Sequence, residues 1–152
     1  MSPNDVLRAV RYMLDLGDAH VVRMIAVAGP SVPATQVAAW LRREDEPGYQ
    51  PMPDAQLAAF LDGLVRERRG PSEQAPRAPE TRLSNNLVLK KLRVAFALKE
   101  DDLKALLAAA GFAASSAELN ALFRKPSHPN YRPCGDQLLR NVLKGLTLKL
   151  RG

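Results

Sequence analysis

Cys134, His128 and Asp136 fall within nine residues of one another in the stretch FRKPSHPNYRPCGDQLLR, residues 123–140. A thiol, an imidazole and a carboxylate are the parts of a nucleophile, its base and the acid that orients the base. A catalytic thiol also needs an oxyanion site and a substrate cleft, and no motif in the chain announces either. Gly-rich phosphate loops, paired-carboxylate sites and Gly-x-Ser-x-Gly turns do not occur in the sequence. One Cys, one nearby His and one Asp do not close the tetrahedral set that zinc prefers, so neither a metal nor another cofactor is expected.

The chain supplies its own comparison for this stretch. Shifted by 82 positions, residues 4–70 align without a gap on residues 86–152, and about 20 of the 67 positions are identical, which marks a tandem duplication. The counterpart of the quoted stretch is LRREDEPGYQPMPDAQLA, residues 41–58. Both copies keep an Arg and then Pro-x-Tyr-x-Pro-x-x-Asp. That pattern reads as scaffold: the prolines fix an extended loop, the Tyr covers a helix end and the Asp caps the next helix. Cys134 stands where the first copy has Met52, which makes the position apolar and half-buried, a usual place for a free Cys. On this comparison the chain is not read as an enzyme.

The elements that position these residues follow from helical spacing, four in each copy. Val6, Leu7, Val10 and Leu14 share a face, repeated by Val88, Leu89, Leu92 and Phe96. A second helix starts at Asp18 and Glu100, carries Val21, Met24 and Ile25 or Leu103, Leu106 and Leu107, and stops on a left-handed cap at Gly29 and Gly111. The third has a capping box at Ser115 and Glu118 and the apolar set Val37, Trp40 and Leu41 or Leu119, Leu122 and Phe123. The fourth begins at Asp54 and Asp136, expected to cap it, and buries Leu57, Phe60, Leu61 and Leu64 or Leu139, Val142, Leu143 and Leu146. Both fourth helices contain a glycine, Gly63 and Gly145, which costs about 1 kcal/mol against Ala and is explained by a close helix crossing.

The fold class is therefore all-α: two tandem homologous four-helix repeats with internal pseudo-twofold symmetry. The expected organisation is a first repeat over 1–70, a Pro-rich linker over 71–84 and a second, basic repeat over 85–152. Pro71, Pro76 and Pro79 exclude a helix from the linker and favour an extended, semi-rigid connection. Sequence leaves open whether the two units pack together or sit apart.

Charge separates the copies. Residues 4–70 carry eight Lys plus Arg and nine Asp plus Glu, whereas residues 86–152 carry twelve and five, so the chain's net +6 resides in the second copy. Arg140, Lys144 and Arg151 fall on one side of its last helix, and Lys125 and Arg132 flank the preceding loop. Two readings stand: a solvated basic face, or a surface for RNA or DNA through Lys125, Arg132, Arg140 and Lys144, with His128 contributing least. The rival function is a protein partner or a second copy docking on the Ala-rich helices. A helix-turn-helix DNA reader fits poorly, since AAAGFAASSAELNALF has a long turn and few base-reading side chains.

No window reaches the ~18 apolar residues of a membrane span, and the single cysteine agrees with a reducing compartment, so a cytoplasmic protein is expected. NNLVLKKLRVAFALKEDDL, ELNALFRKPSHPNYRPCGDQLLRNVLKGL and, more loosely, NDVLRAVRYMLDLGDAHV resemble the YehS-like family of small bacterial proteins built from a tandem domain of unknown function. The resemblance spans nearly all of the chain outside the linker. It implies a bacterial, cytoplasmic protein with no assigned activity, catalytic residue or cofactor.

Overall fold

The computed structural model describes residues 1–71 and 80–152, and in it every regular element is a helix. The first repeat has α1 (Pro3–Leu14), α2 (Asp18–Ala28), α3 (Ala34–Leu41) and α4 (Asp54–Arg69). The second has α5 (Asn85–Ala95), α6 (Glu100–Ala109), α7 (Ser116–Leu122) and α8 (Asp136–Arg151). None is long and apolar enough to cross a membrane. The linker's Pro76 and Pro79 lie outside the described residues.

Local signals fix the ends. Ser2 and Ser84 cap α1 and α5 by accepting from Asp5 N and Leu87 N, and Ser115 with Glu118 forms the capping box of α7. Gly111 has φ of +84°, the left-handed stop expected after α6, but Gly29 ends α2 in extended conformation at φ −144° and ψ −174°. Pro30 follows it, and a residue before proline is pushed toward the extended region whatever its side chain. Asp54 and Asp136 open α4 and α8 without capping them; Pro53 and Gly135 occupy the cap positions with no side-chain bond. Their carboxylates act elsewhere.

Within each repeat the closest packing is α2 on α4 and α6 on α8. Gly63 faces the main chain of Met24, and Gly145 faces that of Leu106; a Cβ at either position would collide with the carbonyl oxygen opposite. The missing side chain is what lets the two backbones approach.

The other side of each fourth helix is covered by the opposite repeat. α5 packs on α4 and α1 packs on α8, whereas α1 meets its own α4, and α5 its own α8, far less. Both cross-repeat pairs run parallel, as three contacts along α4 show. At its start Asp54 Oδ2 accepts from Leu83 N at 2.9 Å. At its middle Asp62 pairs with Lys91 Nζ at 2.6 Å, and near its end Arg68 lies 4.4 Å above the Phe96 ring. α8 repeats this: Asp136 Oδ2 accepts from the nitrogen of Met1 at 2.6 Å at one end, and Arg151 stacks on Tyr12 at the other. Leu83 and Asp54 are the 82-shifted equivalents of Met1 and Asp136, so the two contacts are related by the pseudo-twofold. The two units interleave.

The central helices α1, α4, α5 and α8 share one core with α2 and α6 flanking it. Leu89, Leu92, Leu106, Leu107, Leu122, Leu139, Leu143 and Leu146 are buried as expected. Phe96 and Phe123 are only partly buried, each beneath an arginine, Arg68 and Arg93 respectively, at 4.4 Å.

Gly63→Ala is expected to lower stability by about 3 kcal/mol, because the carbonyl it meets belongs to a backbone that cannot rotate away. The gain of about 1 kcal/mol in helix propensity does not offset this. Urea unfolding of Gly63→Ala and Gly145→Ala measures both sites, and a midpoint at or above that of the parent protein would contradict the crossing.

Candidate functional site

The loop from α7 to α8 is built from the main chain outward. Asn86, in the first turn of α5, donates from Nδ2 to Leu122 O at 3.0 Å and to Arg132 O at 2.9 Å, and its Oδ1 accepts from Cys134 N at 2.8 Å. Asn4 does the same in the first repeat: Nδ2 donates to Trp40 O and Gln50 O, and Oδ1 accepts from Met52 N, all at 2.9 Å. Asn4 is 2% exposed, and an amide side chain alone offers both donors and an acceptor at that spot. Turn bonds also coincide: His128 N to Lys125 O, Tyr131 N to His128 O and Arg132 N to Ala121 O match Glu46 N to Arg43 O, Tyr49 N to Glu46 O and Gln50 N to Ala39 O. One backbone thus carries two sets of side chains.

The would-be catalytic trio is not assembled. Cys134 is 6% exposed within the hydrophobic core, as Met52 is. Burial, and then the Asp136 carboxylate, push its thiol up to about 11, opposite to the shift that makes a thiolate. Both ring nitrogens of His128 are engaged elsewhere, Nδ1 accepting from Asn130 N at 2.9 Å and Nε2 lying beside Arg124 at 3.2 Å. Asp136 is engaged by the Met1 amino group and then by Asn85, which hold its carboxyl below the usual carboxylate range.

The five basic positions are displayed on this frame. Lys125, His128 and Arg132 stand on the loop, and Arg140 and Lys144 stand one turn apart on α8. Arg132, with Tyr131 and Asn130, lines a groove of about 350 Å³ against Glu118 of α7. Lys125, Arg132, Arg140 and Lys144 are exposed, and none forms an ion pair among the described residues. Their counterparts are neutralised or covered. Arg43 is held by Asp45 at 3.6 Å and Glu46 at 3.1 Å, and Gln50 accepts from Gln36. Ala58 is 0% exposed, and Asp62 is paired with Lys91. Asp54, Ala58 and Asp62 lie on the α4 side that meets Leu83 and α5; on α8, whose equivalent side receives Met1 and α1, Arg140 and Lys144 remain exposed. Arg151 turns away to pair with Asp15 at 3.8 Å.

Residues 3–70 and residues 85–152 each match the family described as protein of unknown function (DUF1456). The chain belongs to the DUF1456 family. It is similar to the uncharacterized protein YehS of Escherichia coli (strain K12), at 49% identity over 150 residues, which covers 98% of this chain and 96% of that protein. No solved structure matches it. The two DUF1456 matches begin one residue before each asparagine clamp and end at each fourth helix, so the YehS-like resemblance and the interleaved fold concern the same two units.

One group of side chains in the first DUF1456 repeat has no sequence-level signal of a classical kind. His20 lies 2.5 Å from Glu67 Oε1 and joins α2 to α4. The available signal was divergence between repeats: His20, Arg23, Arg66 and Glu67 correspond to Asp102, Ala105, Leu148 and Lys149.

Asn86→Ala removes three hydrogen bonds and strands two carbonyls and one amide, so a loss of about 2–4 kcal/mol is expected in urea unfolding. A loss below about 0.5 kcal/mol would show that the loop holds itself. For Cys134 the linkage has a definite sign. The unfolded thiol ionises near its ordinary 9.0 and the folded one near 11, so its stabilising contribution is whole below pH 9 and is lost as pH rises toward 11. Iodoacetamide should modify the folded protein at pH 8 at least about tenfold more slowly than a solvent-exposed thiol, and Cys134→Ala should flatten the alkaline fall of the unfolding midpoint.

Proposed function

We propose that this protein is a non-enzymatic binding module whose second repeat, residues 85–152, contacts a polyanion of the nucleic-acid class. The observation that carries the reading is the asymmetry of one helix face. Ala58 and Asp62 are covered or paired on α4, while Arg140 and Lys144 project uncovered and unpaired from the same positions of α8. Lys125 and Arg132 on the adjoining loop extend the set, and the Asn86 clamp fixes the backbone that presents them. His128 serves the loop more than the surface. Unpaired cations on a fixed surface gain by releasing the counterions of a phosphate chain. Base-stacking platforms are scarce, Tyr131 being the one aromatic beside Arg132, so binding is electrostatic, modest and weakly selective in sequence. The reading belongs to a reducing cytoplasm, with which the lone buried thiol agrees.

A protein partner or second copy is the other reading, favoured by Tyr12, Leu148 and Leu150, which are 55%, 43% and 40% exposed on α1 and α8. Salt separates the two. Titration of the full chain against a labelled single strand and a labelled duplex should give a log affinity that falls with log salt at a slope of about −3 to −4, for roughly four phosphates engaged. Arg140→Ala with Lys144→Ala should flatten the slope by about 1 to 2. An absence of binding at tens of micromolar protein in low salt, or a slope unchanged in the double variant, rejects the polyanion reading.

A further inference from the structure

The crossing of α2 and α4 at Gly63 leaves a groove along their shared edge, of about 420 Å³, a volume in the range of small-molecule sites. His20, Arg23, Met24 and Val27 line it from α2, and Arg66 and Glu67 line it from α4. The spacing explains the grouping: 20, 23, 24 and 27 share one face of a helix, and 63, 66 and 67 share another. Val27 supplies apolar surface, being 49% exposed although it is aliphatic, while Met24 beside it is 3% exposed and forms the floor.

Above that surface stand two guanidinium groups. Arg23 and Arg66 are exposed, and neither side chain forms an ion pair or hydrogen bond among the described residues. The one nearby acid is already engaged, since Glu67 Oε1 lies 2.5 Å from His20 Nε2. The groove therefore combines an apolar wall with two available planar donors, the composition that receives an oxyanion attached to an apolar body.

The second repeat shows that the fold does not require these groups. α6 and α8 cross at Gly145 against Leu106 in the same way, yet the corresponding positions are Asp102, Ala105, Leu148 and Lys149. No guanidinium stands over that crossing, and the helices still meet.

We propose that the α2/α4 groove is a binding site for a small organic oxyanion, a carboxylate or a phosphate monoester on an apolar or aromatic body. Arg23 and Arg66 grip the anionic head from the two helices, Val27 receives the body over the buried Met24 floor, and the His20–Glu67 pair closes one end and holds the helices in register. The site lies in the first repeat and uses none of the basic residues assigned to the polyanion surface, so the two readings stand or fall separately.

The test is a titration of the full chain with phenyl phosphate, phenylacetate and inorganic phosphate, followed by NMR of the Met and Val methyl groups and the arginine Nε–H signals. Saturable shifts are expected at Met24, Val27, Arg23 and Arg66 with at least one organic anion, at a Kd of about 1 mM or tighter. Inorganic phosphate should bind at least about fivefold more weakly, since it lacks the apolar contact. Arg23→Ala with Arg66→Ala should weaken binding at least about tenfold while leaving the urea midpoint in place. Arg140→Ala with Lys144→Ala should leave it unchanged. Each of three results overturns the proposal: no saturable shift up to about 20 mM of either organic anion, undiminished binding in the Arg23/Arg66 variant, or equal affinity for inorganic phosphate, which would reduce the site to adventitious anion contact.

Discussion

A carbonyl oxygen packed where a Cβ would otherwise be governs this architecture. At Gly63 against Met24, and at Gly145 against Leu106, main chain touches main chain, and the helices at each crossing cannot separate or rotate without losing that contact. Because α2 takes one side of α4 in this way, Asp54, Ala58 and Asp62 are turned to the other side. That outward face is then available to α5, and the same rotation of α8 makes its face available to α1. The exchange between repeats is downstream of the two glycines.

The exchange in turn explains the linker. Parallel α4 and α5 start side by side, so the end of α4 and the start of α5 lie a helix length apart. Sixteen helical residues rise about 24 Å, a distance that the length of sequence between the two helices is sufficient to span. A short turn of the kind that joins antiparallel helices would have forbidden the arrangement. Asp54 and Asp136 gain a meaning from the same geometry. Each opens a helix in one repeat and anchors the residue just before the capping serine of the other.

Much of this was legible in the residues. Helix periodicity, the duplication at a fixed offset and the two glycines are local or self-referential signals, and the buried leucines of both fourth helices follow from them. What local signals do not carry is the identity of the surface on the far side. Val6, Leu7 and Val10 announce that α1 buries a face, but the pattern is the same whether it meets α4 or α8. Asp136 looks like a cap because an Asp at a helix start is a frequent cap; an extended-backbone Gly135 took that place, and the carboxylate turned to another part of the chain. Gly29 looked like its twin Gly111 until Pro30 is considered. His20 and Glu67 are 47 positions apart, and only the helix crossing brings them together.

Two copies of one interleaved unit could have met as separate chains, each lending its first helix to the other. Joined by a linker, the encounter becomes intramolecular, and the halves find one another at the high effective concentration that tethering provides. The larger consequence concerns identity. In a symmetric pair of separate chains every side chain is displayed twice, so a cluster of cations on one half is mirrored on the other and the pair repels itself as a whole. Fusion ends that obligation. Arg140 and Lys144 stand where Ala58 and Asp62 remain, and Arg23 and Arg66 stand where Ala105 and Leu148 remain, so each half carries a character that its twin does not share.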